Sequence, residues 1–188
     1  MKKLLILLLL ISTSAFAQEP ICQMVNEVEK TALLKQLCKP VESFSCHFVE
    51  EKWIALLEET VTSKGTIHYK APNQLVCEYS EPESIVLSKD ADGNLSVTKN
   101  GKTVPPSMMY KQMMDMMFAF VTGEAVRGSD EYNVEAWRND KEYIVSLTPK
   151  AKARFSVIEL HLDPAGKRIQ KTVLKEAKGD TTTITMTE

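Results

Sequence analysis

The sequence predicts a mainly β protein with helices, in which about ten antiparallel strands form a curved sheet, an unclosed barrel, with helices covering its concave face. Two observations carry this. From Val41 onward apolar residues recur with a period of two, in runs separated by Pro, Gly, Asn and Asp turn signals. One methionine-rich run of helical period interrupts the pattern and supplies the apolar face that such a sheet needs as its cover.

In chain order, Met1-Lys2-Lys3, the apolar run Leu4 to Ile11 and Ala15-Phe16-Ala17 form a secretory signal, residues 1–17, cleaved so that the mature chain starts at Gln18. The first cysteine, Cys22, is not at the cleavage point, so the mature chain is expected to be soluble and without a lipid anchor. Loss of Lys2 and Lys3 with the leader takes the net charge from −2 to −4. Residues 18–188 suit a single domain, and neither the charge nor any basic run suggests nucleic acid.

Apolar positions 21, 24, 25, 28, 32, 33 and 34 have a period near 3.6, which predicts a first helix from Ile21 to Leu37, ended by Pro40. The period then changes. Phe44, Cys46 and Phe48 share one face, followed by Val61, Gly65, Ile67 and Tyr69, then Leu75, Cys77 and Tyr79, as expected of a meander. Ala71-Pro72-Asn73, Glu81-Pro82-Glu83 and Asp90 to Asn94 supply the turns, and Asn100-Gly101 closes the first half. After the central helix, strands are predicted at Tyr132 to Trp137, Glu142 to Leu147, Phe155 to Leu162, Ile169 to Glu176 and Thr181 to Met186. Phe155 and Val157 lie on one face but Ile158, Leu160 and Leu162 on the other, which predicts a β-bulge near Val157.

The central helix begins after Pro105-Pro106, with Ser107 as N-cap and Gly123 as stop. Met109, Met113, Met116, Met117 and Phe120 fall on one third of the wheel, opposite Lys111, Gln112, Asp115 and Ala119. Three readings fit this face: an ordinary core helix, a yielding lid over an apolar ligand, or a Cu(I) site at Met113/Met116 and Met114/Met117. Thioether side chains are unbranched and adapt to a ligand without fixed shape. Against copper, Met113 and Met114 point to different parts of the wheel, and the run holds no His or Cys.

Catalysis has no candidate residues. His47, His68 and His161 each stand alone in strand patterns, and Glu50-Glu51 and Glu58-Glu59 read as solvated edge charges flanking a hairpin. No nucleophile elbow, phosphate loop or zinc spacing occurs, and no cofactor is implied. Of the possible cysteine pairs, Cys22 with Cys38 and Cys46 with Cys77 are too far apart for a disulfide, mixed pairs stay open, and buried free thiols are the simplest reading.

Phe44-x-Cys46-x-Phe48, Ser63-Lys64-Gly65-Thr66-Ile67-His68-Tyr69-Lys70-Ala71-Pro72 and Glu78-Tyr79-Ser80-Glu81-Pro82 together resemble the LolA family of periplasmic outer-membrane lipoprotein carriers. Leu147-Thr148-Pro149-Lys150, Ile158-x-Leu160-x-Leu162-Asp163 and Lys175-Glu176 with Gly179-Asp180-Thr181 extend the resemblance, which runs from about Ser43 to Thr187.

The resemblance implies a carrier, expected to be a monomer, that holds lipoprotein acyl chains in a hydrophobic cavity. It would take its client from an ATP-driven inner-membrane release complex and pass it to an outer-membrane acceptor. Carried onto this sequence, the cavity would be lined by Phe44, Phe48, Ile67, Tyr69, Ala71, Leu75, Cys77 and Tyr79 from the first strands. Met109, Met113, Met116, Met117 and Phe120 would come from the lid, and Ile158 and Leu160 from the second half.

Ala71 stands where the family commonly has an inward arginine that locks the lid, and Cys77 where it commonly has tryptophan. The chain also stops at Glu188, without the further strand that some relatives add. These departures leave room for another client, an acyl or polyene-type lipid of the envelope. A methionine copper chaperone is the alternative from a different class.

Overall fold

The computed structural model describes residues 22–127 and 129–187; the expected leader and the start at Gln18 lie outside the described residues. The twelve strands among the described residues all belong to one antiparallel sheet, against the expected ten. In chain order they are β1 (Gln23–Met24), β2 (Ser43–Ile54), β3 (Glu59–Lys70), β4 (Gln74–Glu81), β5 (Ile85–Lys89), β6 (Leu95–Lys99), β7 (Lys102–Val104), β8 (Tyr132–Arg138), β9 (Tyr143–Pro149), β10 (Phe155–Leu162), β11 (Ile169–Glu176) and β12 (Thr181–Thr187). Their order across the sheet is β1-β8-β9-β10-β11-β12-β2-β3-β4-β5-β6-β7. Two meanders, β2 to β7 and β8 to β12, thus join side by side where β12 pairs with β2. The sheet does not close, and β1 and β7 are its edges. Both edge strands are very short, which limits the unpaired backbone offered to other chains.

The bulge expected near Val157 is present: Phe155 pairs with Glu176 but Val157 with Lys175, so the register slips by one residue between them. That slip lets Phe155 start the strand while Ile158, Leu160 and Leu162 are all buried. Further slips lie between His161 and Leu162 on β10 and between Lys64 and Gly65 on β3, opposite β4.

Helix α1 (Glu27–Leu37) starts later than the periodicity predicts. Asn26 is its N-cap, extended at φ −73° and ψ 167°, and its side chain accepts a hydrogen bond from Glu29 N. The preceding residues are taken by the sheet instead. Gln23 and Met24 pair with Arg138 and Trp137, and Val25 N donates to Ala136 O at 3.0 Å. A two-residue edge strand has no periodicity of its own and exists only because β8 offers it a partner.

Helix α2 (Met108–Val121) follows the sequence reading at both ends. Ser107 accepts from Tyr110 N, and Gly123, at φ +73°, takes the left-handed conformation that ends the helix after Thr122. A single turn, α3 (Glu124–Arg127), comes next.

The helix-covered face carries two apolar clusters, one centred on each meander. The first holds Phe48, Ile67, Tyr69, Leu75, Cys77, Tyr79, Leu87 and Val97 with Met114 and Met117 of α2. The second holds Ala136, Val145, Leu147, Ile158, Leu160, Leu162 and Leu174 with Leu33 of α1 and Val126 of α3.

Candidate functional site

Strand alternation builds the site. On β2 the even-numbered residues Phe44, Cys46 and Phe48 face the helices, opposite Tyr69, Ile67 and Gly65 of β3, which in turn face Leu75, Cys77 and Tyr79 of β4. Aromatic edges knit this half together. Phe48 and Tyr79 meet edge-on at 5.0 Å between centroids, and Phe44 and Tyr69 lie 5.9 Å apart. Helix α2 joins in through Phe118, whose ring is 6.2 Å from Tyr69. Lys89 of β5 reaches over α2 as well, with its ammonium 3.5 Å from Asp115 Oδ1 and 4.4 Å from the Phe118 ring centre.

The methionines divide between the clusters. Met113, Met114 and Met117 pack on the first cluster, whereas Met116 and Phe120 pack on the second. Helix α2 therefore straddles both halves of the sheet. Met113 and Met116, one of the two pairs considered for copper, are turned to different clusters.

Several expectations need correction. Met109 is 59% exposed and Met114 only 1%, so the buried face is rotated from the one drawn on the wheel. The cause is that α2 packs on both apolar clusters, which widens its buried arc beyond a single stripe. Ala71 does not face inward: β3 ends at Lys70, and Ala71 is exposed in the turn before β4. Strand alternation cannot be carried past the last paired residue, because the turn redirects the side chains. Phe48, Ile67, Tyr69, Leu75, Cys77, Tyr79, Met117, Ile158 and Leu160 are buried, while Phe44, Met113, Met116 and Phe120 are half-buried.

Glu50 is the third correction. It is not a solvated edge charge: it continues the even-numbered face of β2, and its Oε2 accepts a hydrogen bond from Tyr79 Oη at 3.1 Å. The same hydroxyl is 3.5 Å from Met113 Sδ on the helix. Burial pushes the Glu50 carboxyl above its ordinary range, opposed by the Tyr79 hydrogen bond and by the charge of Lys52. Burial and the neighbouring Glu50 charge also push the Tyr79 phenol far up. The signal was in the sequence, since Phe44-x-Cys46-x-Phe48-x-Glu50 is one unbroken alternation.

Cys22, Cys46 and Cys77 are free thiols, and Cys38 Sγ lies 3.9 Å from Gly123 O. Cys46 and Cys77 sit in one row, both opposite Ile67, two strand spacings apart. Burial pushes the Cys77 thiol up to about 12, so it is protonated and unreactive in the folded chain. Cys22 is exposed, unlike the buried thiols expected.

His161 also differs from expectation. It is buried, and Nδ1 lies 2.7 Å from Glu142 Oε2. Strand alternation puts it on the face opposite Leu160, away from the helices. Among the described residues no cluster of His, Cys, Asp and Glu could hold a metal, and no helix is long and apolar enough to cross a membrane.

An unclosed antiparallel sheet with helices over one face is consistent with the fold of the family resembled. The model of the outer membrane lipoprotein carrier protein LolA matches residues 39–188. The chain belongs to the LolA family. LolA-family proteins are periplasmic carriers, and their fold is not known as enzymatic.

Comparison with curated proteins returned no match. Among solved structures, a DUF1329 family protein from Desulfovibrio piger is 10% identical, with TM-score 0.42, over 84% of this chain and 91% of that one. A LolA superfamily protein from Nitrosomonas europaea is also 10% identical, with TM-score 0.40 and the same coverage. MucB is 18% identical with TM-score 0.49, over 86% of this chain and 58% of that one, so this chain spans little more than half of MucB.

Proposed function

We propose that this LolA-family chain carries the acyl chains of lipoproteins across the periplasm, holding them between α2 and the sheet. It would take its client from an inner-membrane release complex and hand it to an outer-membrane acceptor, working as a monomer exported by cleavage before Gln18. One observation carries the reading: α2 rests on both apolar clusters, so lifting one helix uncovers apolar surface on both meanders at once. The need is physical. Each buried CH₂ is worth about 0.8 kcal/mol, so a multiply acylated protein does not cross water unsheltered.

Under this reading Phe44, Phe48, Ile67, Leu75 and Cys77 are the floor on one side, and Ile158 and Leu160 the floor on the other. Met113, Met116, Met117 and Phe120 form the yielding roof. Methionine suits a roof that must repack for each client.

Native mass spectrometry of protein purified from a periplasmic extract tests it. A bound acylated protein or peptide is the expected result. A bound lipid without a peptide would redirect the function to another envelope lipid. An empty protein that also binds no acyl probe would return α2 to an ordinary core helix.

A further inference from the structure

A seam carrying two polar side chains runs across the two apolar clusters. Strand pairing sets Leu160, Thr172, Ile184 and Glu50 in one row across β10, β11, β12 and β2, on the helix-covered face. Leu160 belongs to one cluster and Ile184 to the other, so Thr172 stands at their boundary. Its residue is only 1% exposed, and its Oγ1 has no hydrogen-bond partner among the described residues. An unpaired hydroxyl in such a place is costly unless something else is there to bond it.

Glu50 is its counterpart across Ile184. Tyr79 donates to Oε2, which leaves Oε1 to accept a further hydrogen bond. Two strand spacings put the Glu50 and Thr172 backbones roughly 10 Å apart, with Ile184 as an apolar floor between them. Lys52, two residues further along β2, shares the face.

We propose that Glu50 and Thr172 form a recognition site for the amide linkage of an acylated client, a reading that rests on the carrier function above. The amide N–H donates to Glu50 and the Thr172 hydroxyl donates to the amide carbonyl. An amide with one hydrogen bond at each end spans about 8 Å, which fits the row. An ester offers the carbonyl but no N–H, so the seam distinguishes N-linked from O-linked chains. The apolar clusters on either side then take the hydrocarbon.

The test compares a fluorescent C16 fatty amide with the matching fatty ester on the intact protein. Wild type is expected to bind both and to prefer the amide by about tenfold, the worth of one hydrogen bond. Glu50→Met brings that preference close to unity. Thr172→Val weakens both probes and raises the thermal midpoint, because the lost hydroxyl had no partner within the protein. Equal affinity of wild type for both probes overturns the seam but leaves the carrier reading standing. Binding of neither probe overturns both. A lower midpoint in Thr172→Val with unchanged affinity makes that hydroxyl structural and also overturns the site.

Discussion

The ring of Phe48 occupies the space that a side chain on Gly65 would need. The two residues are direct partners across β2 and β3, and a Cβ built on Gly65 would lie 2.8 Å from Phe48 Cε1 and closer still to the backbone carbonyl of Glu78. Gly65 also sits at the register slip opposite β4. Glycine here lets an aromatic ring lie close to the bulged strand, and the edge contact of Phe48 with Tyr79 follows from it.

Gly65→Ala is therefore expected to destabilise the fold by about 1 to 3 kcal/mol, the usual range for overpacking, or more, because the obstructing Glu78 oxygen belongs to the backbone. Urea unfolding measures it. A loss under about 0.5 kcal/mol, the scale of an ordinary surface change, would mean that β4 shifts freely and the close approach has no structural weight.

Met114→Ala and Met109→Ala separate the two sides of α2. Met114 is fully buried and should cost about 2 to 5 kcal/mol. Met109 is largely exposed and should stay within about 0.5 kcal/mol. Equal effects of the two substitutions would show that the buried arc of the helix is assigned wrongly.

Lys89 is the one side chain of β5 that both pairs with Asp115 and covers the Phe118 ring. Asp115 is mostly exposed, so the pair is weak and screened by salt. Lys89→Ala is expected to leave global stability within about 1 kcal/mol while speeding hydrogen exchange of the α2 amides, since lid openings are low-energy local events. If exchange in α2 is unchanged, Lys89 does not latch the helix.

Glu50 makes stability depend on pH in a defined direction. Burial raises its carboxyl above the ordinary 4.5, so the folded chain holds the proton more tightly than the unfolded chain. Between the unfolded and folded values the unfolded state binds fewer protons, and stability falls as pH rises through that interval. Glu50→Gln keeps an acceptor for Tyr79 without the charge. Its thermal midpoint should gain on wild type as pH rises above the ordinary carboxylate value; a loss over that rise contradicts the burial of this carboxyl.

Alternation, turn residues and caps are local properties, and by them the sequence alone determined most of the architecture. Most strands from Phe44 to Met186 were legible, as was the Val157 bulge, because a face change within β10 shows as a break in alternation. The Ser107 cap and the Gly123 stop of α2 were legible for the same reason.

Only the tertiary structure decided which side chains that architecture encloses. Gln23–Met24 and Lys102–Val104 are strands because β8 and β6 lie beside them, and runs of two or three residues carry no readable period. Met114 is buried in place of Met109 because α2 rests on two meanders brought together by the pairing of β12 with β2. The same pairing sets Glu50 and Thr172 in one row, although 122 positions separate them in the chain. A residue's facing within its own strand follows from local stereochemistry, but its neighbours across the sheet follow from contacts made by distant strands, which no local pattern encodes.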